Sequence, residues 1–329
     1  MAADVILDVQ ELCAYYRILK GDVKAVDGVT FQVRRGEILG IAGESGCGKS
    51  TLAHTLMLRK PPLKHISGKA LFLGQDIMAM GAEEFRKLRL SRISIIPQYA
   101  LDALSPTKKI GEFVTDLVRE HGIHPDRSFF AKVEERMRFV NLDPAVLGKY
   151  PIELSGGMKQ RVIMVISTIL NPELVIADEI TSALDVSSQR FAATLLVELR
   201  EKGIIGSAIF ITHDLAILYQ IADRLLIMYG GHVVETGPVE TIVHEPRHPY
   251  TQALLSSLPK VGVQIKDERL EGIKGTPPEL LEIGPGCRFR ERCPYRTKQC
   301  EQTPVTENID PDHSIACWHY QEIGGERVG

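Results

Sequence analysis

Eight consecutive residues, Gly43-Glu44-Ser45-Gly46-Cys47-Gly48-Lys49-Ser50, spell the phosphate-binding pattern G-x-x-x-x-G-K-[ST], with Thr51 next. Each fixed position has a chemical reason. Glycines let the backbone curl tightly enough for its N–H groups to converge on phosphate oxygens, and the helix that follows points its positive end at the same place. Lys49 offers an ammonium to the β- and γ-phosphates, and Ser50 a hydroxyl to Mg²⁺. The pattern directly follows the run Glu37-Ile38-Leu39-Gly40-Ile41-Ala42. A buried strand, the loop, and a helix from Lys49 or Ser50 are predicted, and with them binding of a nucleoside triphosphate. Cys47 reads as a small filler, because the backbone does the binding there.

Two further stretches extend that chemistry. Leu174-Val175-Ile176-Ala177 reads as a buried strand ending in the carboxylates Asp178 and Glu179. At the carboxyl end of a parallel strand, Asp178 can join Ser50 in the Mg²⁺ shell. Glu179 can polarise a water for in-line attack on the γ-phosphate. Leu154-Ser155-Gly156-Gly157-Met158-Lys159-Gln160 precedes an apolar helix carrying Val162, Ile163, Val165, Ile166 and Ile169. Ser155 is a natural N-cap, and Gly156 and Gly157 leave the first turn bare for phosphate oxygens.

A parallel α/β sheet must hold these groups. Ile93 to Pro97, Leu174 to Ala177 and Ala208 to Thr212 are continuous apolar runs separated by helical patterns, the mark of parallel strands covered on both faces. Val5 to Leu12 and Val23 to Val33 alternate around the turn signal Gly21-Asp22, predicting an antiparallel hairpin. Leu225 to Met228 and His232 to Glu235, joined at Gly230-Gly231, predict a closing hairpin. Between about residues 105 and 170 strands give way to helix-period stretches; Phe130, Val133, Met137 and Val140 share one face of Phe129 to Val140. The 329 residues suggest two domains, and a shift to Pro- and Gly-rich sequence places the boundary near residue 260, giving 1–259 and 260–329. A net charge of −3 and 44% hydrophobic residues describe a globular chain with no call for nucleic acid. No apolar run is long enough to span a bilayer. The start Met1-Ala2-Ala3-Asp4 does not read as a secretory leader, so reduced or metal-bound cysteines are expected.

The text LSGGMKQR at Leu154 to Arg161 resembles the signature of ATP-binding cassette (ABC) ATPases, and other motifs of that family fall in order around it. The resemblance covers residues 5 to about 240 and implies an ABC cassette: a P-loop NTPase parallel core with an N-terminal antiparallel β subdomain and a helical insert. It implies that Tyr16 stacks on adenine and that Gln98 touches Mg²⁺ and the attacking water. By the same likeness, Ser182-Ala183-Leu184-Asp185 is the D-loop and His213 contacts the γ-phosphate. The family usually has proline after the catalytic glutamate; this chain has Ile180, which loosens a turn but removes no chemical group. In the family, cradle and signature helix of different subunits sandwich ATP, so ATP favours a closed dimer and ADP an open one.

Cys287, Cys293, Cys300 and Cys317 are separated by five, six and sixteen intervening residues, with Pro294 after Cys293. Structural zinc sites pair cysteines more closely. Free thiols and zinc stay open, but the looser gaps suit a [4Fe–4S] cluster better. His248-Pro249-Tyr250-Thr251-Gln252-Ala253-Leu254-Leu255, Gly286-Cys287-Arg288-Phe289 and Arg292-Cys293-Pro294-Tyr295 resemble the C-terminal extension of di- and oligopeptide importer ATPases. Some members of that group carry an iron–sulfur cluster here, so the resemblance implies one, as a staple for a core-poor segment. It also implies a peripheral subunit on the cytoplasmic membrane face that powers import of peptides, or of related solutes such as oligosaccharides or nickel. The implied partners are a second, homologous cassette, two permeases meeting Gln98 to Gly111 and the helical insert, and an extracytoplasmic solute-binding protein. Competing readings are a soluble ABC ATPase of DNA repair or translation, and a regulatory nucleotide-binding module.

Overall fold

Alternating apolar residues at the amino end form β1 (Val5–Ile18) and β2 (Gly21–Arg34). Their turn lies at Leu19-Lys20, two residues before the expected Gly21-Asp22, because Gly21 opens β2 at φ 139. Next come β3 (Ile38–Ala42), α1 (Lys49–Met57), β4 (Leu63–Phe72) and β5 (Gln75–Asp76). The middle of the chain gives α2 (Ala82–Leu88), β6 (Ile93–Ile96), α3 (Ile110–Glu120), α4 (Arg127–Phe139), α5 (Gly156–Thr168), β7 (Leu174–Asp178) and α6 (Val186–Glu201). Then follow β8 (Ser207–Ile211), α7 (Leu215–Ile221), β9 (Arg224–Tyr229), β10 (His232–Pro238), α8 (Val239–His244) and α9 (Pro249–Ser256). Two short strands, β11 (Glu307–Asp310) and β12 (His313–Ile315), come last. This computed structural model describes residues 4–58, 61–98, 104–180, 186–257, 272–281 and 283–323. The boundary expected near residue 260 lies outside them.

The chain divides into two compact units. One is Met1–Asp4, Arg34–Gly36 and Met80–Ile209; the other is Val5–Val33, Glu37–Ala79 and Phe210–Gly329. In the first, β6 and β7 pair in parallel from Ile93↔Leu174 to Ile96↔Ala177, with β8 next to β7 in strand order. The predicted helical stretch is α3, α4 and α5. Asp126 caps α4 by accepting the Phe129 N–H at 2.9 Å. Val133, Met137 and Val140 are buried as their spacing requires, and Phe130 is half-buried. Among the described residues no helix is long and apolar enough to cross a membrane.

In the second unit a four-stranded sheet runs β2-β1-β4-β5. Leu7 pairs with Phe72 and Val9 with Ala70, all buried. Irregular register between Gln10 and Ala14 then shifts the inward phase, so that Leu12 and Ala14 are buried and Tyr16 follows them. The β4 strand escaped sequence reading because Lys64 to Ile66 are exposed and break its alternation. This unit also holds five strands of another sheet, in the order β11-β12-β10-β9-β3. Here β3 is parallel to β9, and β9 and β10 form the expected hairpin.

A buried carboxylate secures the carboxyl-terminal strands. Glu235 on β10 is 0% exposed and accepts the N–H groups of Arg247 and His248, at 2.8 and 3.1 Å, and His313 Nε2 at 2.9 Å. His248 caps α9 through Nδ1, which accepts the Tyr250 N–H at 3.0 Å. Burial pushes the His248 imidazole down to about 4, against the opposing pull of Glu235. A depressed imidazole means that the unfolded chain takes up a proton first on acidification. Stability from this group is therefore complete above about pH 6.5 and lost as pH falls toward 4, by at most about 3 kcal/mol. Urea unfolding at pH 7.5 and 4.5 checks this: His248→Gln, which cannot titrate, should lose less stability over that interval than the parent.

Candidate functional site

The phosphate loop forms because β3 is buried along its whole length and hands the chain to α1 through residues that need no Cβ. Gly43 has φ 152 and Gly48 has φ 109. A Cβ on Gly43 would stand 2.2 Å from the Met228 carbonyl oxygen, and one on Gly48 2.0 Å from that of Ala25. The loop closes on itself as the Cys47 N–H donates to Glu44 O at 3.2 Å, and the Gly231 N–H fastens it by donating to Cys47 O at 2.8 Å. Lys49 opens α1 and is 4% exposed. Its ammonium donates to Gly43 O at 2.8 Å and Glu44 O at 3.1 Å. Burial pushes the Cys47 thiol up, so it stays an uncharged filler. Ser50 and Thr51 occupy the first turn of α1, and Thr51 Oγ1 lies 3.3 Å from the Tyr16 hydroxyl. His213, in the same unit, is exposed between β8 and α7, beside the α7 cap Asp214.

The other candidates belong to the first unit. Asp178 is the last residue of β7 and fully buried. Glu179 follows at φ 45, a left-handed conformation costly for a residue with a side chain. Gln98, just past β6, donates from Nε2 to Glu179 Oε2 at 2.6 Å, which leaves its Oε1 as an acceptor. The turn after Glu179 is held without the family's proline. Ile180 is 5% exposed, and its carbonyl accepts Gln160 Nε2 of α5 at 2.5 Å. Ser155 caps α5 by accepting the Met158 N–H at 3.3 Å. Gly156 starts the helix, and a Cβ on Gly157 would meet nothing within 4 Å, so that glycine relieves no clash within the chain. Asp185, with Ser182 to Leu184, lies outside the described residues.

Sequence reading missed what surrounds Glu44. Arg292 makes a two-pronged ion pair with its carboxylate, Nη1 to Oε2 at 2.6 Å and Nη2 to Oε1 at 3.0 Å. The Glu44 N–H donates to the Tyr250 hydroxyl at 2.8 Å. No local pattern could have found contacts between positions more than 200 residues apart.

The metal reading of the carboxyl-terminal cysteines is corrected. All six cysteines are free thiols. Among the described residues no group of three or more His, Cys, Asp or Glu side chains is placed to hold a metal ion, so neither an iron–sulfur cluster nor zinc is supported. Spacing identifies cysteines but does not aim their sulfurs. Burial first, then neighbouring cysteines, raises the Cys287 thiol to about 11 and Cys317 to about 12. The residues assigned to Mg²⁺ each carry the kind of donor a hard cation takes. Ser50, Gln98 and Asp178 offer a hydroxyl, an amide oxygen and a carboxylate, all oxygen donors.

Strand, glycine loop and buried lysine are the parts of a P-loop nucleotide-binding core. The ABC transporter family matches residues 26–182, and the family described as the oligopeptide/dipeptide transporter C-terminal region matches residues 234–300. The chain is 39% identical over 322 residues to the dipeptide transport ATP-binding protein DppD of Caldanaerobacter subterraneus subsp. tengcongensis, covering 97% of this chain and 98% of that one. It is 40% identical to the oligopeptide transport ATP-binding protein OppF of Salmonella typhimurium, covering 95% and 96%. The solved structure of cbiO1 from Clostridium perfringens, part of an ABC transporter complex, superposes at TM-score 0.61 with 27% identity, over 73% of this chain and 90% of that one. The chain belongs to the family of ATP-binding proteins of dipeptide and oligopeptide ABC transporters. Gly48→Ala should lower thermal stability by several degrees, since strained φ alone costs about 1–3 kcal/mol; differential scanning calorimetry showing an unchanged midpoint would remove the steric account of the loop.

Proposed function

We propose that this chain is the ATP-hydrolysing subunit that powers import of peptides, or of related oligosaccharide-type solutes, through a membrane ABC transporter. The observation that carries the reading is the 2.6 Å hydrogen bond from Gln98 to Glu179. A chain that only sensed nucleotide would have no need to hold a carboxylate in a strained conformation.

The chemistry follows from the residues. Backbone N–H groups of Ser45, Gly46, Gly48 and Lys49 receive the phosphates, and the Lys49 ammonium exchanges its carbonyl partners for β- and γ-phosphate oxygens. Glu179 orients the attacking water and draws on its proton, while Gln98 fixes the carboxylate. Mg²⁺, with Ser50, Gln98 and Asp178 as its candidate ligands, would supply neutralising charge to the phosphates. His213 contacts the γ-phosphate, Tyr16 covers the adenine and Asp185 serves the D-loop. Ser155, Gly156 and Gly157 present a capped, unobstructed helix start for the nucleotide of a partner cassette. The open space at Gly157 supports that outward role.

Such a subunit works with permeases and with another ATPase. The composition we favour is a heterodimer with a homologous cassette, two permeases and an extracytoplasmic solute-binding protein, this chain lying on the cytoplasmic face. Residues 260–329 would form a cysteine-bearing extension. The match at residues 234–300 to the peptide transporter C-terminal region favours this reading over DNA repair, translation or a regulatory module. Glu179→Gln should retain ATP binding in an equilibrium assay yet lose about 10²-fold or more of turnover in a phosphate-release assay. Parent-like turnover would sink the catalytic assignment.

A further inference from the structure

Glu44 places a carboxylate inside a loop whose purpose is to attract anions. Its position in the pattern is one of the variable ones, so the loop does not itself need an acid there. The charge is met from far along the chain, by Arg292. That guanidinium is 4% exposed in its side chain and uses all five of its N–H donors. Besides the two bonds to Glu44, Nε donates to Lys274 O at 2.8 Å, Nη2 to Ile273 O at 3.1 Å and Nη1 to the Tyr229 hydroxyl at 3.2 Å. The Tyr229 and Phe289 rings flank it, 5.7 and 5.9 Å from the guanidinium carbon. Tyr250 meanwhile holds the Glu44 N–H, and Tyr229, Tyr250 and Phe289 pack with ring centres 4.5 to 5.4 Å apart. Glu44 is thus gripped at side chain and backbone by one aromatic-walled cluster.

We propose that Arg292 is a positioning residue for nucleotide binding: it neutralises Glu44 and holds the phosphate loop in its anion-receiving shape, so that the carboxyl-terminal segment governs affinity for ATP. The inference rests on the ATPase reading above. Its physical content is a matter of sign. With Arg292 in place the carboxylate is paired by a fork that a point charge such as lysine cannot reproduce. Without it, an unpaired negative charge stands in the loop that must accept phosphates, and the loop loses its outer anchor. Hydrogen bonding to Glu44 also raises the Arg292 guanidinium above its ordinary range.

Because a merely structural arginine would give the same loss for any partner, the test is a rescue. Isothermal titration of the full chain with the non-hydrolysable analogue AMP-PNP and Mg²⁺ compares the parent with Arg292→Gln, Arg292→Lys and the double variant Arg292→Gln/Glu44→Gln. Arg292→Gln should bind about 10-fold more weakly, the usual scale for one charge-assisted pair. The double variant should regain most of that loss, since no uncompensated charge remains. Arg292→Lys should fall between Arg292→Gln and the parent. Parent-like affinity in Arg292→Gln, or a double variant as weak as the single one, overturns the proposal. If Arg292→Gln lacks a native circular dichroism spectrum, Arg292→Lys decides, and its parity with the parent overturns the proposal. A parent chain that binds no analogue would instead remove the ATPase reading, and the inference with it.

Discussion

A phosphate loop can turn its N–H groups inward only where no side chains occupy the space behind it. Met228 and Ala25 present carbonyl oxygens to within 2.2 and 2.0 Å of where Cβ atoms would stand on Gly43 and Gly48. For Met228 that closeness follows from parallel pairing of β3 with β9; β2, which carries Ala25, is tied in by the β9–β10 turn, where Gly231 accepts the Asp27 N–H and donates to Cys47 O. The loop is therefore a property of the sheet beneath it as much as of its own residues. Much of the second unit can be read as the means of keeping two carbonyls and one turn in register.

The electrostatics follow the same economy. Lys49 is nearly buried and tied to loop carbonyls, so its charge is held ready beside the loop and need not be ordered when phosphates arrive. The one acid in the loop, Glu44, is paired by a buried arginine. In the other unit the opposite requirement holds, because a base must stay negative and aimed. There a single amide, Gln98, orients Glu179, and apolar burial of Ile180 with the Gln160 hydrogen bond replaces the stiffness a proline would give.

Local chemistry was legible in the sequence; long-range chemistry was not. The loop, the strand ending in Asp178-Glu179 and the Ser155 cap each depend on neighbouring residues, and the structure places them on the predicted strand ends and helix starts. The β4 strand was hidden by an exposed stretch, and β11 and β12 by their brevity. Glu235, alternating innocuously in a hairpin, proved to be a buried hub because donors arrive from residues 247, 248 and 313. The cysteines show the reverse error. Their spacing read as a cluster motif, but spacing carries no information on where four sulfurs point, and the described side chains form no metal-holding group.

The claim on which the rest hangs is that the loop recognises a triphosphate through backbone N–H groups and the Lys49 ammonium. Competitive titration of the parent chain with ATP and with AMP, in the presence of Mg²⁺, tests it most directly. Tight ATP binding with AMP weaker by orders of magnitude is the predicted result, because AMP has no phosphate where the loop and lysine converge. Equal affinity for the two nucleotides, or none for ATP, would contradict it.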